Sequence, residues 1–443
     1  MALQIGTTLS AASSTYNLST TDDILVVAGA TITATGGTAI IGTGAEHSAT
    51  VLGTVFGTFA GIDLGDDFSS DFNNRVTVGA TGSVLGDPSI NSVGVRLYGA
   101  GALVMNEGLI SGGNGIVFSV STGTATVLNS GSILGSLHGV RRFGGTTGDW
   151  LIENSGLIQG VQASISANFT AAIEEVHNRG RIVGLIDLQG GDDIVDNRRG
   201  TIEGDVDLGA DNDSFDNRDG HLFGSVLGGT GNDSMIGNAA EAEVFDGGDG
   251  LDSLDFRFGP AVTVALDASF DNAGAALGDT YTAFERITGS VQGDVIRGNA
   301  QANQLLGQGG ADVLDGAAGA DLIRGGLGLD TLTGGLGNDI FRFQTLAECG
   351  DVITDFLNVA GDNDKFQIVA SAFGGGLVAG ALAATQFQSR ADNVAQDADD
   401  RFIFRTSDRT LWFDADGNGA GAAALVADLQ AGATLTAADI QLI

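Results

Sequence analysis

Apolar residues alternate with polar ones around a glycine, in a frame that also carries asparagine. The segments Val104-x-Asn106-x-Gly108-x-Ile110, Val127-x-Asn129-x-Gly131-x-Ile133, Ile152-x-Asn154-x-Gly156-x-Ile158 and Val176-x-Asn178-x-Gly180-x-Ile182 share this frame, 23 to 25 residues apart. Looser copies at Asn197–Ile202 and Asn217–Leu222 shorten the spacing to 19 or 20, and copies without the Asn surround Val51-Gly53-Val55 and Val78-Gly82-Val84. A period of two puts every second side chain on one face of a short strand. One such strand cannot bury its face alone, but stacked coils of fixed period can. The pattern predicts an all-β chain, a right-handed parallel β-solenoid, with the asparagines stacked as a ladder. A Greek-key sandwich would give strands about every 8 to 12 residues with no recurring Asn-x-Gly phase. The first coil is expected near Ile24, with only a short Ser/Thr-rich lead before it.

A second, acidic series continues this period without a break. Asp187-Leu-Gln-Gly-Gly-Asp192-Asp193 recurs as Asp207-Leu-Gly-Ala-Asp211-Asn-Asp213 and as Leu227-Gly-Gly229-Thr-Gly231-Asn-Asp233. A third series is a nonapeptide in strict frame, with Gly at 289, 298, 307, 316, 325 and 334. Its sixth position holds Asp294, Asn303, Asp312, Asp321, Asp330 and Asp339, and its eighth holds Ile296, Leu305, Leu314, Ile323, Leu332 and Phe341. A shorter copy runs through Gly247-Gly248-Asp-Gly250-Leu-Asp252. Two nonapeptides make a coil of 18 residues, which sets Asp312 against Asp330 and Asp321 against Asp339.

Charge turns this geometry into chemistry. The 443 residues carry 55 acidic against 19 basic side chains, a formal charge of −36. Of 45 Asp, 37 lie from residue 187 onward, against only 10 Glu in the whole chain. Such a chain repels nucleic acid. A short carboxylate beside glycine suits turns and hard cations. Aligned carboxylates repel one another unless a cation lies between them. Carbonyl-rich, flexible turns favour Ca²⁺ over Mg²⁺, and the lack of His and Cys in the repeats disfavours Zn²⁺. The expected ligands are Asp187, Asp192, Asp193, Asp207, Asp211, Asp213 and Asp233 with the turns at Gly229 and Gly231, then Asp252 with Gly248 and Gly250. In the nonapeptides they are Asp294, Asp312, Asp321, Asp330 and Asp339, with turns at Gly310, Gly319, Gly326, Gly328, Gly335 and Gly337. The pattern is broken where Asn299, Gln308 and Ala317 replace the second Gly, where Asn303 replaces Asp, and in the turn of 289–297.

Other features bound the function. The 72 Gly do not recur every third residue and there are 2 Pro, which excludes collagen. The lone Cys349 excludes an internal disulfide. No basic segment precedes the apolar stretch Ile24–Ile41, so neither a Sec-type leader nor a membrane span is expected.

The nonapeptide resembles the calcium-binding repeat of RTX proteins. Val262–Gly289 is similar to the strand pair that enters such blocks. Phe341–Phe343, Asp351–Phe356 and Leu411–Gly419 are similar to their terminal cap. The ending Ala438–Ile443 resembles the uncleaved signal read by type I secretion systems. The resemblance covers about 187–443 and, with the β-helix of Asn-x-Gly coils over 1–186, implies five segments: that β-helix, an acidic calcium-binding block over 187–258, a strand insertion over 259–288, a β-roll over 289–343, and a cap with secretion signal over 344–443. It also implies a secreted, non-enzymatic, calcium-binding protein of the cell surface or extracellular matrix, S-layer- or adhesin-like. Its partners would be a type I exporter and either further copies of itself or a surface polysaccharide.

The rival class is a calcium-dependent β-helix polysaccharide lyase or epimerase. Its candidate residues are Arg141-Arg142-Phe143, Asp149-Trp150 and Glu174-Glu175, all expected at solvated corners or edges. Asp414-x-Asp416-x-Asn418-Gly419 opens like an EF-hand, but Leu425 stands where a bidentate Glu is needed. A hairpin turn is expected there.

Overall fold

The computed structural model describes residues 3–6, 8–13, 16–19, 22–66, 71–89, 91–119, 122–142, 148–167 and 171–443. Strand accounts for 51% of the chain and helix for 3%, which makes it a parallel β-solenoid with a β-roll. The contacts divide it into two compact units, 1–238 with 243–250, and 239–242 with 251–443. Among the described residues no helix is long and apolar enough to cross a membrane.

Coils in the first unit are built from three short strands, as in Ser48–Val51, Thr54–Gly57 and Ala60–Leu64. At the asparagine corner each strand pairs in parallel with its counterpart one coil on, in a single register: Val51↔Val78↔Asn106↔Asn129↔Asn154↔Asn178. Val51 and Val78 thus hold the column that the asparagines take over. The period-two alternation fills the interior with stacked Val55, Val84, Ile110, Ile133, Ile158 and Ile182, all fully buried.

The asparagine ladder forms as expected. Each Nδ2 donates to the Oδ1 of the next rung, from Asn106 to Asn129 (2.7 Å), Asn154 (2.7 Å), Asn178 (2.8 Å), Asn197 (2.7 Å) and Asn217. Asn217 donates in turn to the Glu243 carboxylate. Glycine must follow two residues after Asn129, Asn154 and Asn178, because a side chain on Gly131, Gly156 or Gly180 would run into the backbone of the preceding coil at Gly108, Gly131 or Gly156.

The N-terminal lead differs from expectation. It forms a coil of its own: Leu3–Gly6 pairs with Asp23–Val26, Leu9–Ala11 with Thr31–Ala34, and Tyr16–Leu18 with Thr38–Gly42. A short stretch without either motif can continue a parallel ladder already set by the next coil.

The second unit stacks two-stranded coils. On one side run Ser253–Asp255, Arg286–Thr288, Gln304–Gly309, Leu322–Leu327, Ile340–Phe343, Lys365–Ile368 and Ile440–Leu442. On the other run Val262–Ala265, Val295–Arg297, Val313–Asp315, Thr331–Thr333, Asp351–Ile353 and Ala424–Leu429. The register advances by 18 residues per coil through the nonapeptides, as in Leu305↔Ile323↔Phe341. The eighth-position residues make the core between the two sheets. Antiparallel strands Phe402–Arg405, Thr410–Phe413 and Ala424–Leu429 close the end, and Asp414–Gly419 lies in the hairpin loop before the last of them.

Candidate metal centre

Two columns of carboxylates run along the roll, one at each turn. In every link the backbone N–H of one Asp donates to the Oδ1 of the Asp one coil on. One column is Asp294→Asp312→Asp330→Asp351 and the other Asn303→Asp321→Asp339→Asp364, each link 2.7 to 3.0 Å long. These carboxylates are at most 1% exposed, so water does not solvate them. The second oxygen, Oδ2, has no hydrogen-bond partner in Asp312, Asp321, Asp330, Asp339 or Asp351. A buried carboxylate oxygen left bare costs several kcal/mol on the order of its lost hydration. Burial accordingly raises Asp312 and Asp321 to about 7, Asp339 to about 6 and Asp351 to about 8, and neighbouring carboxylates add to the rise.

Local chain geometry explains the nonapeptide. The Oδ2 of Asp312, Asp321, Asp330 and Asp339 sits where a side chain on Gly307, Gly316, Gly325 or Gly334 would project, so the first position must be glycine. Two left-handed residues follow at alternate positions, Gly326 (φ 104°) and Gly328 (φ 145°) or Gly335 (φ 96°) and Gly337 (φ 146°). Gln308 (φ 76°) and Ala317 (φ 73°) hold the same conformation despite their side chains, so these substitutions leave the turns intact. The bare oxygens and the cradle fit a hard, oxygen-seeking cation. Asp312, Asp330 and Asp351 would hold it on one side and Asp321 and Asp339 on the other, completed by turn carbonyls. Among the described residues no three His, Cys, Asp or Glu side chains gather as a chelate, so side chains alone do not make a site.

The other expected ligands separate into kinds. Asp294 is already satisfied: Ser290 donates its N–H (2.6 Å) and its hydroxyl (3.0 Å) to it, and Val262 donates a further N–H. In the first unit Asp193, Asp213 and Asp233 are buried at one turn and linked by the same N–H to Oδ1 bonds. Asp192 and Asp211 are exposed; Asp192 accepts from the Asn212 N–H at 2.9 Å. Asp187 and Asp207 face outward side by side on neighbouring strands. Gly229 and Gly231 take the left-handed turn, as do Gly248 and Gly250. Asp252 is buried in the second unit. Sequence reasoning passed over Asp351 and Asp364, which continue the columns out of the nine-residue frame. Their signal is an Asp two residues before a core apolar residue, Ile353 or Phe366.

Arg142, Trp150 and Glu174 are not at solvated corners as expected; each is at most 2% exposed. Arg142 points into the coil, ion-pairs with Glu174 and lies 4.9 Å over the Trp150 ring. A charge pair with an aromatic face can replace the hydration that an interior Arg loses. Arg141, Asp149 and Glu175 are half-buried, and Phe143 lies outside the described residues. A separate open groove of about 510 Å³ crosses the asparagine corner, bordered by Met105, Leu128, Glu153 and His177.

A roll whose turns present bare carboxylates in stacked pairs is the architecture of a calcium-binding β-roll protein. Residues 288–323 and 306–341 match the model for the RTX calcium-binding nonapeptide repeat (4 copies). No curated protein matches the chain. The chain therefore carries RTX repeats in its second unit, and calcium is the cation those repeats bind.

Proposed function

We propose that this is a secreted, non-enzymatic structural protein of the bacterial cell surface or extracellular matrix, folding and assembling when it meets calcium. The supporting observation is the pair of buried carboxylate columns with bare oxygens, which cannot stay ionised in the folded roll without a cation. Low cytosolic calcium would keep the chain unfolded for export through a type I system, and external calcium would then fold it. Repeating coils suit lateral or end-to-end packing of copies, S-layer- or adhesin-like, or attachment to a surface polysaccharide. The test is electron microscopy and sedimentation of purified protein with and without millimolar calcium. Sheets or filaments that appear only with calcium support assembly. A monomer at high concentration, with no lattice on cells, refutes it.

The rival lyase or epimerase reading loses Arg142, Trp150 and Glu174, which are buried, and keeps the half-buried Arg141, Asp149 and Glu175 and the open groove beside Glu153 and His177. Release of unsaturated or epimerised uronates from alginate- or pectin-like polymers would favour it.

A further inference from the structure

The 20-residue coils of the first unit have two unlike corners. At one corner the charges are matched within the protein. Arg179 and Arg198 bind Asp196 at 2.6 and 2.7 Å, Arg218 binds Asp216 at 2.7 Å, and the asparagine ladder runs beside them. At the other corner stand Asp193 and Asp213, 1% and 2% exposed, each with an Oδ2 that has no hydrogen-bond partner. The turns before them carry left-handed residues at alternate positions, Gln189 and Gly191, then Gly209 and Asp211, then Gly229 and Gly231. This is the conformational signature of the roll turns at 308 and 310 or 326 and 328.

Two facts set this corner apart from the roll. Leu188 and Leu208, both fully buried, stand five residues before the Asp where the roll requires glycine, and the repeat match covers only 288–341. The column also has a defined beginning. Its first rung is Glu174, whose N–H donates to Asp193 Oδ1 at 2.7 Å and whose carboxylate is neutralised by Arg142. The protein therefore supplies its own cation at the first rung; the Arg142 charge still reaches Asp193, but among the described residues no basic group acts on Asp213.

We propose that the corner Asp193–Asp213–Asp233 is a second, one-sided series of calcium sites, closed at its N-terminal end by the Arg142 guanidinium in place of an ion. It rests on the calcium reading of the roll only for the choice of ion. Burial lifts the Asp213 carboxyl to about 8, so calcium must displace protons there.

The experiment counts bound calcium in the full chain by equilibrium dialysis, comparing Asp213→Asn with Asp219→Asn, an exposed residue near the other corner. The chain itself places Asn303 at an equivalent rung of the roll, so Asn is compatible with the turn. Asp213→Asn should bind at least one ion fewer than the parent, while the roll keeps its calcium-induced far-UV circular dichroism change; Asp219→Asn should match the parent. An unchanged count in Asp213→Asn overturns the proposal and leaves the roll reading untouched. A second measurement holds even if that variant does not fold. Trp150 pairs in register with Glu174, and Asp193 is the next rung, so the Trp lies two strand spacings, about 10 Å, from the first bare carboxylate. In a Trp412→Phe background, terbium in place of calcium should show emission sensitised by excitation of Trp150 at about 295 nm, selective for indole. Absence of that emission overturns the proposal.

Discussion

Removing calcium at neutral pH should unfold the roll, and acid should partly restore it. In the unfolded chain these aspartates titrate near 3.8; in the roll, burial raises Asp312, Asp321 and Asp364 to about 7 and Asp351 to about 8. A group whose folded pKa is raised binds more protons when folded, so its contribution to stability is full below 3.8 and is lost as pH rises through 7 to 8. Ionising one such carboxyl in the fold costs on the order of 4 kcal/mol. Summed along two columns the cost is on the order of 10 kcal/mol, comparable with the whole stability of a domain. Calcium removes that cost by supplying the missing charge, and protons remove part of it by neutralising the oxygens. Far-UV circular dichroism in EDTA should show little roll structure at pH 7.5 and a gain of β signal by about pH 5, with the calcium midpoint moving to higher concentration as pH falls. A β-rich spectrum in EDTA at pH 7.5, or a β signal that declines steadily between pH 8 and 5, would refute the reasoning.

Other outcomes follow from single positions. Gly325→Ala pushes a methyl into the place of Asp330 Oδ2, so it should weaken calcium affinity at least tenfold by titration, whereas Gly309→Ala, whose added methyl meets nothing closer than 3.5 Å, should not. Asn154→Leu removes one rung, including its bonds to Asn129 and Asn178, and should cost about 2 to 4 kcal/mol in thermal melting with the calcium midpoint unchanged. Arg142→Met strands the buried Glu174 carboxylate and should destabilise the first unit by roughly 3 to 5 kcal/mol; a Glu174→Gln partner change should restore much of it.

Repetition decided what could be read in advance. The Asn-x-Gly frame and the nonapeptide each repeat often enough to fix a coil length, and a parallel ladder turns that length directly into register. Val51, Val78 and the asparagines fall in one column for that reason. Features that occur once carried no such signal. Arg142, Trp150 and Glu174 look like ordinary surface residues until stacking brings three distant positions into one interior. Asp351 and Asp364 were hidden because the chain between columns lengthens from 18 to 21 and 25 residues there. Asp294 holds the sixth position of its unit, but Ser290, which breaks the glycine pattern of that turn, occupies its oxygens. The N-terminal lead lacks both motifs and still forms a coil, since the neighbouring coil acts as its template.

The asparagine ladder has one further consequence, for length. Every rung from Asn106 to Asn217 offers the same donor forward and the same acceptor backward, so its amides point one way and end on the negative charge of Glu243. Only the two ends are chemically distinct. A coil duplicated or deleted between them leaves no mismatched amide in the ladder, and neighbouring amides polarise each other whatever their number. The ladder is thus a ruler whose graduations can be added or removed by whole coils. Change of this kind alters the number of coils without a new ladder chemistry, provided the coils that hold Arg142, Trp150 and Glu174 stay together.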